Sequence, residues 1–295
     1  MYLDRKLTKK IVNYYKNRND SSVLKFFFIL NRFRHKLLFI LFSNFKSMDT
    51  NYRKNQYEIN WKFAERDCLK WFDRNVRDDL HYDYKKKNYF FSSTGVLNRI
   101  WLSCIFNFLK KKKIDRILEV GSGIGTNIFF LASYFSKKKF FGLELTNIGT
   151  KISKKILKSE IKDEIFYGFP IKPKKKKLKN CHFLNDDAKK INFKDNSFEL
   201  VFSLTALENM DHIKDEVINE MIRVSSKYII FIEPFTDCNK SLLKKLHHRG
   251  SKYFNLSVAQ LKKYPLKILS VEEEIVQKIS LSHLIVICEK NSKNK

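Results

Sequence analysis

Along the second half of this chain, apolar residues fall by turns into short unbroken runs and into three-and-four-residue steps. Short runs suited to strands stand at Arg116 to Val120, Phe140 to Leu145, His182 to Leu184, Glu199 to Leu204 and Tyr228 to Ile232. Helical spacing between them predicts helices from the turn after Val120 to about Phe135, over Asn147 to Ile161 and over Ile213 to Val224. Ser257 to Tyr264 is also predicted helical, and Lys267 to Val276 with Ser282 to Glu289 predict a closing pair of strands. Strand and helix in alternation mark a doubly wound α/β domain. The tract Tyr167 to Asn180, with Pro170, Pro173 and four consecutive lysines, reads as a loop.

Before Ile114 the pattern is helical. Residues 1 to about 20 are polar and basic without a sustained period, so a loose N-terminus is expected. Apolar positions then recur at helical steps from Val23 to Phe45. Asn31, Arg32, Arg34, His35 and Lys36 interrupt this stretch, and neither half reaches the ~18 residues of a membrane span. The apolar part starts late and no small-residue cleavage site follows, which argues against a signal peptide. Two arrangements fit it: a helix packed on the following domain, or a basic amphipathic helix in a membrane interface. A second amphipathic helix is predicted over about 58–79, with Trp61, Ala64, Cys68, Leu69, Phe72 and Val76 on one side. His81 to Phe91 reads as a polar, aromatic connection. A third helix, capped by Ser93 or Thr94, carries Val96/Leu97, Ile100/Trp101, Cys104/Ile105 and Phe108/Leu109. Its position predicts that it packs on the sheet and helps to cover a ligand. The chain thus divides into a helical N-terminal extension, 1–92, and an α/β domain, 93–295.

Composition changes this picture little. The 43% hydrophobic content supplies a core. Cys68, Cys104, Cys181, Cys238 and Cys288 are odd in number and scattered, which argues for reduced thiols in the cytoplasm and against a disulfide framework or zinc site. The net charge of +28 has two explanations. It can neutralise a polyanion, or it can be a solvated surface reflecting A/T-rich codon usage, since Lys dominates Arg while Gly, Pro and Ala are sparse. The lysine runs 85–87, 110–113, 137–139 and 174–177 fall mostly where loops are expected.

Candidate chemistry begins after Val120. The chain has only 8 glycines, and Gly121, Gly123 and Gly125 fall within five positions between a strand and a helix start. Such a turn lets backbone approach a ligand, and the helix start favours polar or anionic groups. A dinucleotide fingerprint requires glycine where Thr126 stands. From Ile114 to Lys290, the motifs in their order resemble the class I S-adenosylmethionine-dependent methyltransferases, of the type acting on small molecules. That resemblance implies a Rossmann-like, doubly wound seven-stranded sheet ending in an antiparallel hairpin, with S-adenosylmethionine as cofactor. It implies that Gly121, Ser122, Gly123 and Gly125 lie under the methionine part, with Glu119 near its amino group. Glu144, followed by Leu145, matches the acid accepting both ribose hydroxyls, as a carboxylate can. Asp187-Ala188 matches the pair at the adenine, with Asp186 leaving that assignment ambiguous by one residue. Phe193 to Leu204, including Ser203, matches the segment passing the methyl group; Glu199 stands where many members have Asp.

For catalysis, Glu208 and His212 follow the fourth strand of the domain as candidate acid-base groups. Glu208 is equally readable as a charge at a helix start. No Asn/Asp-Pro-Pro-Tyr/Phe sequence or Pro-Cys pair suggests methylation of a nucleobase. A small-molecule, sugar or lipid-linked acceptor is therefore expected. RNA methylation on the basic surface, and a non-catalytic membrane- or partner-binding protein, stand as alternatives. Expected localisation is cytoplasmic, with possible membrane contact through 23–45 and no metal partner.

Overall fold

The computed structural model describes residues 2–15, 34, 49–66, 78–83, 87–93, 95–242, 244–245, 248, 253–273, 276–278 and 281–291. Apart from Arg34, the amphipathic segment 23–45 lies outside these residues, as do Cys68, Leu69, Phe72 and Val76 of the helix expected over 58–79.

The expected alternation of strands and helices is present. Strands β3 (Arg116–Val120), β4 (Lys139–Glu144), β5 (Cys181–Asn185), β6 (Phe198–Leu204), β7 (Ser225–Glu233), β8 (Leu266–Glu273) and β10 (Leu284–Lys290) form one sheet in the order β5-β4-β3-β6-β7-β10-β8. The first five are parallel, whereas β10 runs antiparallel to both β7 and β8. This is the Rossmann-like, doubly wound seven-stranded sheet with a C-terminal antiparallel hairpin. The central strands read as unbroken apolar runs because both faces of a parallel sheet are covered. In β7, Tyr228, Ile230 and Ile232 enter one core and Ile229 and Phe231 the other; Ile285 and Ile287 of β10 likewise oppose Leu284 and Val286.

Helices α3 (Gly95–Lys111), α4 (Thr126–Tyr134), α5 (Asn147–Leu157) and α6 (Lys214–Val224) belong to the same domain. Almost every residue of α3 from Gly95 to Leu109 is buried, the polar Asn98, Arg99 and Ser103 included, and these are hydrogen-bonded. It packs on the sheet as expected, yet it does not line the ligand cavity described below. Ser257 to Tyr264 makes a 3-10 turn, Ala259–Lys263.

The N-terminal segment differs from expectation in three ways. Residues 5–15 are a helix, α1 (Arg5–Tyr15), with Leu7, Ile11, Val12 and Tyr15 buried. Its entry is fixed where the amides of Tyr2 and Leu3 donate to the Glu272 carboxylate at 2.6 and 2.5 Å. An anchor some 270 residues away leaves no local sequence signal. Second, α2 (Thr50–Arg66) starts eight residues before Glu58, and Asp78 and Asp79 are in a strand. Third, the connection His81 to Phe91 forms a hairpin, β1 (Asp78–Asp83) with β2 (Asn88–Ser93). The hairpin pairs with β9 (Val276–Lys278), a short strand in the link between β8 and β10. Strand pairing with a distant partner overrides local helical spacing.

Candidate functional site

The doubly wound sheet reverses direction between β3 and β6, and ligands of open α/β sheets bind in the crevice at such a point. At its floor the chain leaves β3 through Gly121, Ser122 and Gly123. The amides of Gly121 and Ser122 both donate to the carbonyl of Leu143 at 2.9 Å, which sews the turn to β4. Gly121 has φ 75°, and a Cβ on it would meet that of Ala206 at 2.5 Å, so only glycine lets this turn pass beneath the loop after β6.

Glu144 ends β4 with its side chain under the turn. Its Oε2 accepts from the Gly123 amide at 2.9 Å, and its Oε1 accepts from the Thr146 amide at 3.0 Å and hydroxyl at 2.5 Å. The Trp61 indole also favours its charged form. Burial raises the carboxyl pKa while these donors oppose the rise, holding a carboxylate in a mostly enclosed place.

Asp186 and Asp187 differ in what they already hold. Both oxygens of Asp186 serve its own loop, accepting from the amides of Asp187 at 2.9 Å and Asn192 at 3.0 Å. Asp187 accepts from the Lys189 amide at 2.9 Å, with the Lys189 ammonium 3.7 Å away, and Asp186, Asp187 and Ala188 all line the cavity.

After β6, Thr205 takes φ 53°, a strained backbone for a β-branched residue. Beyond it, Glu233 at the end of β7 accepts the amides of Ala206, Leu207 and Glu208, each at 3.1 Å. Burial and the charge of Glu208 push the Glu233 carboxyl up to about 8, against the pull of those amides. The loop therefore presents Glu208 to the cavity from a backbone clamped underneath.

Helix α2 forms the roof. The Glu58 carboxylate accepts the amides of Asn147 and Ile148 at 2.9 and 3.3 Å, capping α5 from outside. The Tyr57 hydroxyl accepts from the Asn209 amide group at 2.9 Å, and the Thr50 hydroxyl lies 2.8 Å from His212 Nε2. Trp61 lies over Gly123. Burial, then the charge of Glu208, raises the Tyr57 pKa far above its ordinary value, so the phenol stays protonated. The cavity beneath the roof measures about 250 Å³.

Of the residues expected at the site, Gly121, Ser122, Gly123, Glu144, Leu145, Asp187, Ala188, Glu208 and His212 line this cavity. Three others do not. Gly125 precedes α4 with φ 83° and faces Phe183 and Phe129. Ser203 is fully buried and favours the charged form of Glu233. Glu119 stands one layer back: its carboxylate accepts from Asn127 Nδ2 at 2.7 Å, and Asn127 is the lining residue. Asn127 in turn accepts from Asn98 of α3 at 3.1 Å.

The sequence reading missed Arg53, Tyr57, Trp61, Asn127, Asn209 and Met210, all of which line the cavity. Tyr57 and Trp61, one helical turn apart, were the available signal, but such a pair equally describes a core face.

A doubly wound sheet of this order, with a glycine turn at the reversal point and an acid closing the second parallel strand, defines the class I S-adenosylmethionine-dependent methyltransferases. A family model described as a methyltransferase domain matches residues 110–278, more than half of the chain, and the protein belongs to that family. No curated protein sequence matches the chain. Among solved structures it is similar to an S-adenosylmethionine-dependent methyltransferase from Methanosarcina mazei, with 17% identity, 64% of this chain and 97% of that one covered, and a TM-score of 0.48. It is similar to magnesium protoporphyrin IX methyltransferase from Synechocystis PCC 6803 with bound S-adenosylmethionine, at 11% identity, 66% and 80% coverage and a TM-score of 0.47. The cyclase SpnF gives 12% identity, 73% and 87% coverage and a TM-score of 0.50. At such identities these likenesses speak to the fold alone.

Proposed function

We propose that this enzyme methylates a small acceptor, a free small molecule or a sugar or lipid-linked group, at a hydroxyl or amine whose proton passes to Glu208. The observation that carries this reading is the roof. With α2 tied to the loops on both sides of the crevice, the cavity that would receive the cofactor is roofed over, which favours a compact acceptor group over a folded polymer.

The residues fit the cofactor. Gly121, Ser122 and Gly123 pass backbone under its methionine part, and Asn127, backed by Glu119, faces the amino group. Glu144 receives the ribose hydroxyls, and Asp187 with Ala188 meets the adenine edge. When bound, the cofactor supplies a methyl group on an electrophilic sulfonium. The protein then has two tasks. It holds the acceptor atom in line at attack distance, where most of the acceleration of a displacement arises. It also receives the acceptor's proton: Glu208 lines the cavity with a side chain only 17% exposed, where a carboxylate can act as base. His212 stands at the rim beside Thr50, where it helps to hold the roof.

RNA methylation is the second reading. Lys151, Lys154, Lys155 and Lys158 are exposed along one side of α5, in a cleft of about 470 Å³ with Asn185. One experiment separates the two. Cell extract is incubated with the protein and S-adenosylmethionine carrying a labelled methyl group, and then fractionated. Label in the low-mass or lipid fraction is expected; label confined to RNA overturns the proposal in favour of the second reading.

A further inference from the structure

We propose that His283, at the entry to β10, is the positioning residue for Glu208, its imidazole holding one carboxylate oxygen so that the other faces the acceptor. This rests on the reading of Glu208 as the base.

Four observations carry it. His283 is 4% exposed, and neither ring nitrogen has a hydrogen bond of ordinary geometry. A buried polar group without a partner is costly, so an imidazole kept in such a place calls for a role. Its Nε2 lies 3.5 Å from Oε2 of Glu208, and the side chain of Glu208 reaches from there to the cavity wall. The contact is long by hydrogen-bond standards, as contacts of catalytic groups often are before substrate binds.

Both partners are held in place independently. The imidazole packs on Trp101 of α3, with ring centroids 4.8 Å apart. Beside it, the Ser282 amide donates to Asn239 Oδ1 at 2.9 Å, and Asn239 Nδ2 donates back to the Ser282 carbonyl at 3.0 Å. The Lys244 ammonium donates to the Ser282 hydroxyl at 2.5 Å. On the other side, Glu233 clamps the backbone that bears Glu208. The arrangement is a base oriented by a third group. Burial favours the neutral imidazole against the pull of Glu208, and the Nε2–H form is the one able to donate to Glu208 when the contact shortens. Lys278 and His248 also act on this ring, and both favour the neutral form.

The test needs no acceptor. In full-length protein with 15N-labelled histidine and S-adenosylhomocysteine bound, long-range 1H–15N spectra report ring tautomers. The expected result is one Nε2–H ring, absent in H283Q, whose nitrogen resonances shift in E208Q and stay in place in H212Q. An Nδ1–H ring, or resonances indifferent to E208Q, would make His283 a packing residue and overturn the proposal. If H283Q does not fold, H283N supplies the assignment. The base role of Glu208 is tested separately by methyl incorporation in the extract assay. E208Q with wild-type incorporation overturns that role and, with it, the positioning role of His283. Lost incorporation together with an indifferent imidazole overturns the positioning alone.

Discussion

The indole of Trp61 lies directly across Gly123: a Cβ built on the glycine would meet Cζ2 of Trp61 at 2.9 Å. A helix from the N-terminal extension is thus fitted to the backbone of the cofactor turn, and ligand binding and the position of α2 are coupled at one contact. Gly123→Asp adds a side chain at φ 55°, where L residues are strained, and drives it into the indole. It is expected to abolish S-adenosylhomocysteine binding in calorimetry; binding within threefold of wild type would contradict the geometry.

Trp61 also provides an optical signal. It lines the cavity, whereas Trp101 is buried against His283. Addition of S-adenosylhomocysteine should change the intrinsic fluorescence of the wild type, and the change should disappear in Trp61→Phe. Its persistence in that variant would place the ligand elsewhere.

Glu144 is expected to dominate affinity. Hydrogen bonds to a charged group contribute about 1.5–3 kcal/mol each, so losing two from a ribose diol costs about 3–6 kcal/mol. Glu144→Ala should therefore weaken S-adenosylhomocysteine by a hundredfold or more in calorimetry. The variant also frees the amides of Gly123 and Thr146, so a lower melting temperature should accompany the loss.

The roof should be separable from the floor. Glu58→Ala removes the carboxylate that caps α5, a contribution of about 1 kcal/mol for an N-terminal cap. In stopped-flow measurements, dissociation of S-adenosylhomocysteine is expected to quicken severalfold. An unchanged dissociation rate would mean that α2 does not gate the site.

Stability should fall on the alkaline side because of Glu233. Its carboxyl rises from 4.5 to about 8 on folding, so between these values the folded state binds the extra proton. Stability linked to this group is full below about pH 4.5 and is lost as pH rises through about 8. His283, lowered from 6.5 by burial, acts in the other direction, its contribution being lost as pH falls below that value. Glu233→Gln should flatten the decline of melting temperature between pH 6 and 8; a slope equal to the wild type's would assign the decline to other groups.

Much of the domain was legible because its signals are local. The strand Arg116 to Val120 was read to the residue, since an apolar run ended by Gly121 admits little else. That Glu144 and Asp187 line the cavity follows from local signals, Glu144 closing β4 and Asp187 lying two residues past the end of β5. Glu119, Gly125 and Ser203 were placed by their nearness in sequence to the turn and the strand end; Glu119 and Ser203 sit off the cavity because neighbours along a strand face opposite sides of the sheet, and Gly125 because it turns toward Phe183 and Phe129 at the start of α4. Nothing near His81 announced that it would pair with Lys278, and nothing near Tyr2 announced Glu272.

By itself, the sequence determined the α/β alternation, which follows from its periods, and its motifs, through their resemblance to a known family, implied the methyl donor. Only the tertiary structure decided that α2 roofs the pocket, that Asn127 and not Glu119 faces it, and that His283 stands behind Glu208. Those relations join residues from 8 positions apart, as Glu119 and Asn127, to 162, as Thr50 and His212, across elements whose local patterns are equally compatible with other neighbours.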